Sequence, residues 1–292
     1  MTRLDAPVLA GVDGSPAAFR AVSWAAHEAR LRGRRLHLLY VNTWPAYMNA
    51  NWPGLTGWDV AAGQAIGLDV LERARRTALA ADLGIEIDTG VSAGPATRVL
   101  GEASEDASLL VVGRRGGGGL TDRLVGSSAA QIAQFAACPT VVVPEIGVIV
   151  PPDGPGVVVG VDIGDEGQPA VEFAFDEASR RGLPLTAVRA WTLLSDEPGL
   201  RADVAPLPED LEAEQRRLLS EALAGWSAKY PDVLVSPRVV RRHAATALAH
   251  LGRDAALLVV GARGAGGFHG LRIGSVSDAV VRHAPCPVAV AR

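Results

Sequence analysis

Short apolar runs that do not alternate recur along the chain, at Val8–Val12, residues 36–41, residues 109–112 and Thr140–Val143. Runs this short, bounded by turn residues, read as strands buried on both faces. Between them the apolar positions move to helical spacing. After Ser15-Pro16, a helix-start signal with proline in the first turn, Phe19, Val22, Ala26 and Ala29 share one face, and Gly33 supplies a stop. A longer helix is predicted over residues 61–83, with Ile66, Val70, Leu71 and Ala74 turned inward. Residues 85–91 alternate as a strand does, residues 95–105 and 127–136 carry helical spacing, and residues 43–59 read as irregular. Strands in succession with helices predict an α/β fold with a parallel sheet covered on both faces.

The same succession returns in the second half. LAGVD at residues 9–13 is matched by VVVGVD at 157–162, and the segments 11–33 and 160–182 are equal in length. CPTVVVP from Cys138 is matched by CPVAVAR from Cys286, and the long helix of the second copy is predicted at 211–230. Two copies of one fold account for the chain. The expected division is a domain at residues 1–146, a Pro- and Gly-rich linker at 147–156, and a domain at 157–292.

One duplicated stretch carries chemistry. GRRGGGGLTDRLVGS begins at Gly113 and GARGAGGFHGLRIGS at Gly261, each after LLVV and before a predicted helix. Both keep a glycine, two residues, a second glycine, nine residues, then Gly-Ser, while most of the residues between differ. A strand, a glycine loop and a helix start form an anion cradle: bare amides approach closely, and the helix N-terminus adds free donors and a favourable dipole. The competing reading is a long glycine-rich surface connection, but spacing kept in duplicate favours constraint on the glycines. Right-handed crossovers require such a sheet to reverse its winding, and ligands sit at the carboxyl ends of the strands there. If the first and fourth strands are neighbours, the reversal brings Asp13 close to Gly113.

Two known nucleotide loops do not fit. A Walker loop needs a lysine just after its last glycine, but the chain's only lysine is Lys229 and position 127 is Ser. A dinucleotide-binding G-x-G-x-x-G belongs after the first strand, where this chain has Asp13-Gly14-Ser15. A 292-residue chain with 48% hydrophobic and 21% charged residues is expected to be globular, and its net charge of −4 gives no reason to expect nucleic acid or membrane as a partner. No signal-peptide pattern is read at the start of the chain and no apolar run is long enough to span a bilayer, so the cytoplasm is the expected compartment. Cys138 and Cys286 read as small buried residues.

The G-x2-G-x9-G-[ST] pattern, with Asp ending the first strand, resembles the universal stress protein family in its tandem, nucleotide-binding form. The resemblance implies two tandem doubly wound domains, each with a five-stranded parallel sheet in the order 3-2-1-4-5. It implies ATP in each half, with magnesium as an optional companion. By position it places Asp13 at the nucleotide, the Val41 backbone at adenine and Gly113 by the ribose, with Gly116, Gly126, Ser127 and Ser128 at the phosphates. The matching residues of the second half are Asp162, Ala190, Gly261, Gly264, Gly274 and Ser275. Val276 replaces Ser128, and the turn Asp13–Pro16 becomes Asp162-Ile163-Gly164-Asp165, whose added carboxylate repels phosphates unless a cation intervenes. The first site is therefore expected to bind more tightly. Single-domain members dimerise through the last strand, so a pseudo-dimer of the two halves within one chain is expected, along with a homodimer and an unidentified regulatory protein partner as further assemblies.

Arg114, Arg115, Arg123, Arg263 and Arg272 stand in or beside the loops, and a solvated surface role is their plainer reading. His269 is the only histidine in a glycine loop and has no counterpart in the first, so a shared catalytic histidine is excluded. His27 and His37 read as structural or exposed, and no His/Cys ligand cluster for a metal is seen. Trp44 and Trp191 follow the second strand of each copy, as pocket walls or as core. The reading is a nucleotide-dependent regulator or sensor in stress response or dormancy. A slow ATPase or nucleotidyl transferase is the first alternative, weakened because the two loops share no lysine, carboxylate–His pair or base. A scaffold with empty loops is the second.

Overall fold

A computed structural model describes residues 6–43, 60–114, 127–145, 156–192, 209–264 and 273–292. The chain divides into two compact units, Met1–Gly147 and Val148–Arg292. The predicted linker at 147–156, apart from Gly156, lies outside the described residues.

In the first unit β1 (Val8–Val12), α1 (Pro16–Leu31), β2 (Leu36–Asn42), α2 (Val60–Ala81), β3 (Ile87–Ala93), α3 (Ala96–Ala103), β4 (Leu109–Gly113), α4 (Ser127–Phe135) and β5 (Thr140–Val143) follow one another. The strands lie in the order β3-β2-β1-β4-β5 and every pairing among them is parallel. The second unit repeats this as β6 (Val157–Gly160), α5 (Gln168–Arg181), β7 (Leu185–Trp191), α6 (Glu209–Leu223), α7 (Trp226–Lys229), β8 (Val235–Arg241), α8 (Ala244–Leu251), β9 (Leu257–Gly261), α9 (Ser275–His283) and β10 (Val288–Ala291). Its order is β8-β7-β6-β9-β10, again parallel. Each unit is thus a doubly wound 3-2-1-4-5 sheet.

The first strand of each unit is buried because helices cover both faces of the sheet. Val8, Leu9 and Ala10 are closed from solvent, as are Leu109, Leu110 and Val111 beside them. One glycine in each first strand makes room for a leucine from the helix above. A Cβ on Gly11 would meet Leu100 at 3.0 Å, and one on Gly160 would meet Leu248 at 2.8 Å. The first helix of each unit carries a fully buried glutamate one turn before a basic partner, Glu28 with Arg32 and Glu177 with Arg181. Cys138 and Cys286 are buried, as small core residues.

Two expectations change. Ile66, placed inward by periodicity, is 54% exposed, while Val70, Leu71 and Ala74 are buried as expected. The buried face of α2 instead runs through Gly63 and Gly67, the latter close against the Tyr40 ring, and leaves Ile66 outside. The single helix expected at 211–230 is broken between Leu223 and Trp226 at Gly225, whose φ is +84°. The left-handed residue redirects the chain so that Trp226 and Tyr230 stack on Phe175 of α5, with ring centroids 6.0 and 5.7 Å away. In the first unit α2 runs unbroken for 22 residues.

Candidate functional site

The winding reverses beside β1 in the first unit and beside β6 in the second, because the fourth strand pairs on the side opposite the second. The residues just beyond the carboxyl ends of these strands therefore face a crevice. In the second unit that crevice is a cavity of about 330 Å³. Its walls come from the ends of β6 (Gly160 to Asp162), β7 (Val188 to Ala190) and β9 (Val260, Gly261), from the loop residues Arg263 and Gly264, and from the start of α9 (Gly274 to Ser277). Ala244 and Leu248 of α8 close the apolar side. All six second-half residues that the sequence brings forward, Asp162, Ala190, Gly261, Gly264, Gly274 and Ser275, line this one space.

Backbone and side-chain bonds hold the mouth of the glycine loop. The Gly274 N–H donates to the Ala262 carbonyl at 2.7 Å, and the Ser277 hydroxyl donates to the Gly261 carbonyl at 2.6 Å. Both bonds tie the N-terminus of α9 to the end of β9, so the first-turn amides of α9 border the cavity. Gly274 caps α9 with extended backbone and no side-chain bond, leaving early amide donors of the kind that hold anions. Ser277 was not singled out in the sequence, and the first copy has Ala129 in its place, so duplication gave no signal for it.

Asp162 is the acidic centre of the cavity. Its Oδ1 accepts from the Ile163 N–H at 2.8 Å and from Arg189 Nη1 at 3.1 Å, while Arg189 Nε donates to Gln215 Oε1 of α6 at 3.2 Å. A Cβ on Gly264 would collide with Asp162 Oδ2, so any side chain there would have to displace the carboxylate lying against it. Arg189 is the second residue the sequence reading passed over. Its signal was a charge inside the otherwise apolar strand LTAVRAW. Trp191, offered as a pocket wall, instead sits with the Arg241 guanidinium over its ring at 5.8 Å and is not part of the described lining.

In the first unit Asp13 follows β1, and its Oδ1 accepts from the Ser15 N–H at 2.9 Å. The Ser15 hydroxyl in turn accepts from the Ala18 N–H at 3.2 Å, capping α1, with Pro16 in the first turn. Val41 lies on β2 one residue beyond Tyr40, which registers with Val12. Tyr40 takes the place that Arg189 has in the second unit, and burial together with the Asp13 carboxylate holds its phenol above the ordinary value. Gly113 ends β4, where a Cβ would strike Ala17 and Ala18 backbone atoms of α1 at 2.6–2.9 Å. Ser127 and Ser128 open α4, with Ser128 exposed. Gly116 and Gly126 lie outside the described residues, as do Arg115, Arg123, Arg272, His269 and Trp44.

Among the described residues no group of three or more His, Cys, Asp or Glu side chains is placed to hold a metal ion. No described helix is long and apolar enough to cross a membrane.

The profile of the universal stress protein family matches residues 6–144 and again residues 156–292. A universal stress protein of Mycobacterium bovis is 35% identical over 301 residues, covering 98% of this chain and 94% of its own. One from Mycolicibacterium smegmatis is 36% identical over 296 residues, covering 98% and 96%. Among solved structures, a universal stress protein from Archaeoglobus fulgidus superposes with a TM-score of 0.69 over 99% of this chain and 97% of that one, at 20% identity, a likeness of fold. Two matches to one profile, full-length relatives above 30% identity and the paired 3-2-1-4-5 sheets agree: the chain belongs to the universal stress protein family.

Proposed function

We propose that the chain binds ATP, one molecule per unit, and works as a nucleotide-dependent regulator or sensor in stress response or dormancy. The observation that carries this reading is the convergence of Asp162, Ala190, Gly261, Gly264, Gly274 and Ser275 on one cavity, although they span more than a hundred positions of sequence. The cavity's size falls in the range of small-molecule sites. Its described lining carries one carboxylate, Asp162, and two guanidiniums, Arg189 and Arg263, a balance that suits an anion. The Ala190 backbone near the carboxyl end of β7 would meet the base, and the α9 amides with the glycine loop would hold phosphates. The first unit would use Asp13, Val41, Gly113, Gly116, Gly126, Ser127 and Ser128 in the same way. Magnesium would arrive on the phosphates, since the described lining offers it a single carboxylate.

Native mass spectrometry of the purified chain with added ATP tests this directly. Two bound nucleotides are expected, falling to one in Gly116→Asp and to one in Gly264→Asp. A chain that stays free of nucleotide at millimolar ATP would refute the reading and favour an interaction scaffold. Release of labelled phosphate over the same incubation would move the reading toward a slow ATPase.

A further inference from the structure

The second cavity places a carboxylate where the proposed phosphates would lie. Asp162 Oδ2 lies against Gly264, the second glycine of the loop, so an entering phosphate meets it at close range. Two anions in a half-buried crevice repel by more than they would in open water. The structure supplies a counter-charge from the protein itself. Arg189 reaches Asp162 at 3.1 Å, is held from behind by Gln215, and has only 16% of its side chain exposed. Arg263, the other cation of the lining, is exposed and therefore strongly screened. The first unit has Tyr40 at the equivalent strand position, and that phenol is kept uncharged by burial and by Asp13.

We propose that Arg189 is the specificity-determining residue of the second pocket: it cancels the charge of Asp162, so this site takes phosphorylated nucleotides in preference to the nucleoside and does so without a divalent cation. The proposal rests on the nucleotide reading of the pocket, and it assigns to a β7 side chain the role that a metal would otherwise fill. Arg189 acts through Asp162 and the local field, so the signature of its loss is a penalty that grows with ligand charge.

The test uses the full chain carrying Gly116→Asp, so that only the second pocket reports. Affinities for ATP, AMP and adenosine are measured by calorimetry in EDTA and again with magnesium. In this background the pocket should bind ATP in EDTA. Arg189→Tyr, which installs the first unit's residue, should weaken ATP roughly tenfold, AMP less, and adenosine hardly at all. Arg189→Lys should recover most of the loss, because it restores the charge if not the fork geometry. A purely structural role for Arg189 would cost all three ligands equally, and that result overturns the proposal, as does ATP binding that requires magnesium. The unsubstituted pocket gives a measurement that needs no variant there: rising salt should weaken ATP and leave adenosine unchanged, and equal salt dependence would also overturn it. Failure of the Gly116→Asp chain to bind any of the three ligands, with or without magnesium, would instead strike the nucleotide reading of the pocket and take the proposal with it.

Discussion

After β1 the chain turns into α1 through Asp13, Gly14, Ser15 and Pro16, whereas after β6 it turns into α5 through Asp162, Ile163, Gly164 and Asp165. In the first turn the aspartate accepts from the Ser15 amide, the serine caps the helix, and helix begins at once with Pro16. The second turn has no serine. A 3-10 turn, Asp165–Gly167, stands before α5, and Gly167 caps that helix without a side-chain bond. Asp162 accepts from the next amide, Ile163, and is also used across the sheet, against Arg189. The comparison shows one aspartate at one place in the fold serving two kinds of local structure, a turn that holds the capping serine in one unit and a charge pair in the other.

The tight first turn brings α1 close to the end of β4, and this gives the largest expected difference between the units. A Cβ on Gly113 would meet three backbone atoms of α1 within 3 Å, and backbone cannot step aside as a side-chain tip can. A Cβ on Gly261 would meet one loop carbonyl, Arg263, at 2.9 Å and the next, Glu166, at 3.4 Å. Gly113→Ala should therefore destabilise the first unit by about 3 kcal/mol, and Gly261→Ala should cost its own unit about 1 kcal/mol. Urea unfolding read by hydrogen exchange at the β1 and β6 amides measures both. Equal losses would mean that the early start of α1 does not set how closely it approaches β4.

The cap itself comes next in size. Ser15 is nearly buried and holds the Ala18 amide, so Ser15→Ala should cost about 1 kcal/mol and release exchange protection in the first turn of α1. Ser15→Asp should restore most of it, because a carboxylate also accepts from first-turn amides. No substitution of Gly164 for a smaller side chain is available in the second unit, and adding Ser there would test the converse. Gly164 has a φ of +96° with nothing near its Cβ position, so Gly164→Ser should fail to create a cap and should strain the turn.

These differences also show what the sequence could and could not convey. Apolar runs and helix-start residues were enough for the strands buried on both faces and for α1, because Val8–Val12 and Leu109–Gly113 are closed from solvent and Ser15-Pro16 is a local signal. By contrast, β3 showed only as alternation and β8 only through the repeat. The duplicated glycine spacing singled out four residues of the cavity, Gly261, Gly264, Gly274 and Ser275, and the family resemblance added Asp162 and Ala190. Local reading failed where distant packing decides. Ile66 fits the apolar stripe of α2, yet it lies on the exposed surface. Gly225 reads as an ordinary interior glycine until Phe175, from a helix some fifty residues earlier, shows what Trp226 turns to meet. Arg189 and Ser277 were missed for a different reason. Comparison of the two copies favours what both keep, and these residues are Tyr40 and Ala129 in the first. A duplicated chain hides its unit-specific chemistry from a search for duplication.

The smallest expected effect separates the units by pH. His37 lies on β2, where burial lowers its pKa below the ordinary 6.5, Asp88 works against the shift and Arg35 adds to it. The corresponding residue of β7 is Thr186, which does not titrate. Because the folded state lowers this pKa, the unfolded chain binds the proton more readily between the lowered value and 6.5. The first unit's stability is then complete above 6.5 and declines as pH falls below it, down to the folded value. Urea midpoints taken from about pH 7 down to about pH 5 should drop for the β1–β5 unit through this position and not for its counterpart. His37→Thr, which copies the second unit, should flatten that decline while leaving the neutral-pH midpoint nearly unchanged. A slope that survives the substitution would place the acid sensitivity in carboxylates that both units hold, and pH would then cease to tell the units apart at this strand.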